Sequence, residues 1–194
     1  MIEVTPDRLS GYLAELERLL GSSFVDEQIR RVTTVGLKWG EAHRLESSAH
    51  PLREWWNALV RDTERSLNEN KLMLSDQSVR LLTLLSDLLD IEDTPGTDRI
   101  LEGLRAKGTF FSATFEASVA AGYKSRGYEL EILKESSDPG VRTSDLAVTI
   151  GGQRVFIECK SLEDVSIGQK RVWDEICTRL SRILRNNKRN WIAS

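Results

Sequence analysis

Apolar residues recur at three- and four-residue intervals through most of the first half of the chain. The clearest runs are "LSGYLAELERLL" from Leu9, "HPLREWWNALVRDTERSL" from His50 and "SVRLLTLLSDLLDI" from Ser78. This is the period of an amphipathic helix, and strand-like alternation is scarce there, so residues 1–96 are expected to form an α-helical module. Trp55 and Trp56 would point about 100° apart on such a helix, placing one in the core and the other half-buried against a neighbouring helix. "DTPGTDR", Asp93 to Arg99, carries the Pro-Gly punctuation of a linker or helix–helix turn, and a domain boundary is expected near 96–97.

The pattern then changes. "FFSATFEASVAAGYKSRG" from Phe110 reads as a helix carrying Glu116, "YELEILKE" from Tyr128 as a strand, and Asp138-Pro139-Gly140 as a turn. "SDLAVTIGGQRVFIECK", Ser144 to Lys160, alternates with period two on both sides of Gly151-Gly152, the signal of a tight hairpin. Pairing Ile150 with Gln153 sets Val148 against Val155, Leu146 against Ile157 and Asp145 against Glu158. One face then collects Leu146, Val148, Ile150, Val155, Ile157 and Cys159, while Lys160 joins the two acids on the other. Like charges directly opposed across strands repel. A hard divalent cation held by carboxylates would offset the repulsion, and so would simple exposure of that face to water.

Asp145 followed by Glu158-x-Lys160 at the end of an apolar strand resembles the PD-(D/E)XK nuclease superfamily, with the similarity running from about Thr97 to Asn186. The resemblance implies an α/β fold for residues 97–194, a mixed sheet flanked by helices in a restriction-endonuclease-like core, preceded by the α-helical module of residues 1–96. It implies a metal-dependent nuclease, most readily a DNA endonuclease using Mg²⁺, with Mn²⁺ as substitute. Asp145, Glu158 and Lys160 would be the catalytic set. Glu116, Asp145, Glu158 and the Cys159 carbonyl would hold the metal. Ser144 stands where the family motif has proline. After the helix-like run "QKRVWDEICTRLSRILRNN" only "KRNWIAS" remains where the family continues into a further strand, so the core is expected to lack its last strand or to take it from another chain.

Charge adds a partner to this picture. Residues 1–98 hold 11 basic against 18 acidic side chains, whereas residues 168–194 hold 7 against 2. The basic set, including Lys170, Arg171, Arg179, Arg182 and Arg185, lies along an expected helix and is placed to follow phosphates, DNA before RNA. A solvated helix face has the same composition. The acidic helical half suits a homodimer or protein contact better than nucleic acid. With Cys159 and Cys177 the only cysteines, no disulfide framework or zinc spacing is present. His43 and His50 lie far from the acids in sequence and read as surface residues. No apolar run is long enough to span a bilayer, and a soluble, cytoplasmic protein is expected. Two alternatives to a DNA nuclease come from the same residues: an RNA-directed nuclease, and a nuclease fold that binds or assembles without cleaving.

Overall fold

The computed structural model describes residues 4–30, 49–134 and 144–160. The chain divides into a unit Met1–Cys159 and a unit Lys160–Ser194, and of the second only Lys160 is described. The expected boundary near 96–97 falls inside the first unit, at the turn between two of its helices.

Two of the described helices begin on a side-chain cap. After a short 3₁₀ turn at Pro6–Arg8, α1 (Leu9–Leu20) buries Leu9, Leu16, Leu19 and Leu20. A brief α2 (Ser22–Phe24) continues as a π-helical stretch, Val25–Arg30. Helix α3 (Pro51–Glu69) starts on Pro51, whose missing N–H and fixed φ suit a first turn, and is capped by His50 Nδ1 accepting from the Leu52 N–H at 3.2 Å. It ends on Asn70 in the left-handed conformation, φ 47°. Helix α4 (Asp76–Ile91) is capped by Ser75, itself fixed by Asp62: one Asp62 oxygen accepts from the Ser75 N–H at 2.6 Å, the Ser75 hydroxyl at 2.7 Å and the Ser78 hydroxyl at 2.6 Å. Helices α5 (Thr97–Arg105) and α6 (Phe110–Lys124) follow.

The three described strands, β1 (Glu129–Ile132), β2 (Leu146–Ile150) and β3 (Gln153–Ile157), form a sheet in sequence order. Both pairings are antiparallel, so among the described residues the sheet is not the mixed one expected. The architecture is helix-rich α/β with a small sheet. The hairpin register is the expected one at Leu146↔Ile157, Val148↔Val155 and Ile150↔Gln153. Gly151 and Gly152 both take positive φ, 58° and 79°, as the tight turn requires.

A single apolar cluster joins Leu9, Leu52, Leu85 and Ile91 of the early helices to Ile100, Phe110, Ala117 and Ala120, and on to Leu130, Ile132, Leu146 and Val148 of the sheet. Ile157 and Cys159 pack against the cluster, whereas Ile150, beside the turn, and Val155, mid-strand in β3 opposite the buried Val148, are exposed although expected to share that buried face. Both tryptophans are buried, because α3 has neighbours on two sides: Trp55 packs edge-on against Phe110 and Phe111, and Trp56 lies under Arg30. His50, expected at the surface, is 4% exposed between the rings of Phe24 and Phe110. Among the described residues no helix is long and apolar enough to cross a membrane.

Candidate functional site

Asp145 sits where three elements meet. Its carbonyl accepts from the Leu133 N–H just past β1 at 2.9 Å, and its own N–H donates to the Ile157 carbonyl of β3 at 2.9 Å. Its Oδ2 accepts from the Cys159 N–H at 2.6 Å. In a continued β2–β3 ladder Asp145 would instead pair with Glu158. The bond to Ile157 closes the ladder one residue early, so the expected direct Asp145–Glu158 pairing is replaced by an offset that turns the Asp145 carboxylate onto the Cys159 amide. Glu158 is exposed, while the Asp145 side chain is 19% exposed.

The second carboxylate comes from α6. The Glu116 side chain is 14% exposed and meets the guanidinium of Arg99, with Arg99 Nη2 to Glu116 Oε2 at 2.8 Å. The same Nη2 donates to the Asp145 carbonyl at 3.2 Å, and Nη1 lies 3.9 Å from Asp145 Oδ1. Arg99 thus supplies much of the compensation that the acids need. Its formal charge of one against their two leaves the group negative. Nothing in the sequence singles out Arg99, since an arginine 46 residues from Asp145 has no periodicity to reveal its partner.

Arg99 is aimed by the turn before it. Gly96 adopts φ +89°, and a Cβ there would lie 2.0 Å from the Ile132 carbonyl oxygen, so only glycine lets the turn press against the end of β1. The Ile132 N–H donates to the Pro95 carbonyl at 2.9 Å. The Thr97 hydroxyl donates to the carbonyls of Ile91 at 2.6 Å and Thr94 at 2.8 Å. "DTPGTDR" is therefore a pinned corner, and it sets the first turn of α5 beside Asp145.

Burial pushes the Cys159 thiol up to about 12; Asp145 and Glu116 add to the effect, Arg99 opposes it, and Glu158 adds a smaller push. Four charges therefore lie within electrostatic reach of Cys159, and the thiol stays protonated at neutral pH, unsuited to act as a nucleophile. What Cys159 offers is backbone: its N–H already holds Asp145.

The structure thus brings Asp145 and Glu116 together on Arg99, with the Cys159 N–H on Asp145, while Glu158 is exposed. Lys160 is exposed and is the last described residue. Lys170, Arg171, Arg179, Arg182 and Arg185 lie outside the described residues. Among the described residues no group of three or more Asp, Glu, His or Cys side chains is gathered to hold an ion. Mg²⁺ does not require one, since it is commonly bound by one or two carboxylates with water and substrate phosphate completing its shell. Asp145 and Glu116 are hard oxygen donors whose shared focus already holds a positive charge, and that donor chemistry fits a divalent cation. No family model, curated protein or solved structure matches the chain.

Proposed function

We propose that the protein is a metal-dependent nuclease that hydrolyses phosphodiester bonds, in DNA before RNA, using Mg²⁺ or Mn²⁺. The observation that carries this reading is the convergence of Asp145 and Glu116, each less than a fifth exposed, on one cationic focus at the base of the β2–β3 hairpin. Burying two like-charged carboxylates together is unfavourable unless they are paired, and their oxygens are the donors that a phosphate-handling cation takes.

Asp145 and Glu116 would hold the cation, with Glu158 and the Cys159 carbonyl as further donors. When bound, it would lower the pKa of a coordinated water and neutralise charge developing on the phosphate. The Cys159 N–H fixes one Asp145 oxygen at 2.6 Å, leaving the other turned toward the focus. Lys160 is assigned the orientation of the attacking water and the stabilisation of the transition-state anion. Lys170, Arg171, Arg179, Arg182 and Arg185 would follow the nucleic-acid backbone, leaving the acidic N-terminal helices for a second copy or a protein partner.

A second reading is favoured by the Arg99–Glu116 pair itself: a nuclease-like core whose acids are partly compensated internally, serving to bind or assemble without cleaving. Cleavage assays on single-stranded, duplex and branched DNA and on RNA, with and without Mg²⁺ or Mn²⁺, separate the two. Metal-dependent cleavage abolished by Asp145→Asn, with nucleic-acid binding retained, is the expected result. Absence of cleavage on every substrate would select the binding module.

A further inference from the structure

We infer that Arg99 is an internal counter-ion of the acid cluster that a divalent cation must displace, so that the Arg99 ion pairs and cation binding are mutually exclusive. This rests on the proposal above that Asp145 and Glu116 take such a cation.

Helix position gives the first ground. Arg99 lies in the first turn of α5, where the helix dipole disfavours a positive charge. Its charge there is therefore stabilised by its acidic partners and not by the helix. The second ground is that the fit is incomplete. A guanidinium carries five N–H donors in a rigid fork, and the ideal partner is a carboxylate met by two parallel bonds. Arg99 instead divides Nη2 between Glu116 Oε2 and the Asp145 carbonyl, and stands 3.9 Å from Asp145 Oδ1, too far for a hydrogen bond. Its Nε is buried and has no hydrogen-bond partner among the described residues. A buried donor without an acceptor weakens the hold of the site on this occupant.

Geometry supplies the third ground. A cation ligated by both carboxylates at about 2.0–2.1 Å would stand within a few ångströms of the present guanidinium position. Two positive charges at that separation in a partly buried site repel strongly. The carboxylates can serve one or the other. By linkage, whatever free energy Arg99 gains from Glu116 and Asp145 is subtracted from the apparent affinity of the cation.

The test compares Mn²⁺ binding by calorimetry in the full chain and in its Arg99→Gln and Arg99→Lys variants. Arg99→Gln should bind about 5- to 150-fold more tightly than wild type, the usual range for coupling between competing interactions. Arg99→Lys, which keeps the charge, should stay much closer to wild type. A wild-type measurement guards against a variant that does not fold: the Arg99 Nε–H resonance should be protected from exchange without Mg²⁺ and should shift and lose protection on titration. Equal or weaker Mn²⁺ affinity in Arg99→Gln, or Mg²⁺ saturation that leaves the Arg99 resonance unmoved, overturns the inference while leaving the cation site standing. No binding by any of the three proteins at tens of millimolar metal, in roughly hundredfold excess over the chain, removes the cation site, and the inference with it.

Discussion

Replacing Gly96 with alanine tests whether the corner before α5 is as tightly pinned as its geometry implies. Two effects oppose the substitution. The residue has φ +89° and ψ 4°, left-handed backbone that costs an L-residue about 1–2 kcal/mol. The new Cβ would also fall 2.0 Å from the Ile132 carbonyl oxygen and 2.9 Å from its carbon, a collision with backbone that no rotamer change relieves. Forcing a methyl group into packed surroundings costs about 1–3 kcal/mol, and the reduced entropy of the unfolded chain returns about 0.4–1 kcal/mol. The net expectation is a loss of about 1–4.5 kcal/mol, or roughly 2–18 °C in Tm for a unit of this size. Urea denaturation followed by tryptophan fluorescence would measure it, since Trp55 and Trp56 both report on the core. Gly11→Ala is the matched control: in α1, with nothing within 4 Å of its added Cβ, it should stabilise by about 0.4–1 kcal/mol. A Gly96→Ala loss below about 1 kcal/mol would refute the pinned corner, and with it the account of how Arg99 is aimed.

Two further predictions concern groups away from the acid cluster. Burial holds the His50 imidazole below its ordinary value, so the native state binds fewer protons than the unfolded chain; its contribution is complete above about pH 6.5 and is lost as pH falls through that value toward the folded pKa. Stability should therefore decline more steeply from pH 7 to 5 in wild type than in His50→Asn, and equal slopes would show that His50 does not titrate with folding. Burial raises the Asp62 pKa, but the bonds from the Ser78 hydroxyl and the Ser75 amide and hydroxyl outweigh it and hold the carboxyl below its usual range. Asp62→Ala strands those three donors and releases the Ser75 cap of α4, so a loss of about 2–4 kcal/mol is expected in urea melts, and a loss under about 1 kcal/mol would mean that water replaces the carboxylate.

What the residues revealed in advance was local. Gly151-Gly152 between alternating runs was enough to set three of the hairpin pairs, because a two-residue turn leaves one register. The helices from Leu9, Pro51 and Asp76 were legible from their period. The offset at Asp145 was not, since it rests on an irregular bond from the Asp145 N–H to the Ile157 carbonyl that alternation cannot encode. Nor was the exposure of Val155 and Ile150: both have the right period for burial, but Val155 lies on β3, the outer strand of the described sheet, and Ile150 beside the turn. Arg99 and His50 were hidden for a related reason. One is a cation in the first turn of α5, the other a polar ring inside an aromatic cluster, and each takes its role from partners distant in sequence.

The junction at Asp145 also orders events in folding. Its bond to Cys159 closes a separation of 14 residues and its bond to Arg99 one of 46, and the longer closure costs about 1 kcal/mol more in chain entropy. Helices α3 and α4, by contrast, are built from contacts within a few residues and can form before either loop closes. A partly folded chain with its leucine core assembled and its hairpin undocked would have native helicity and no acid cluster. Amides that seal the junction, those of Leu133, Asp145 and Cys159, should then exchange together through one sub-global opening, at lower free energy than the buried amides of α4.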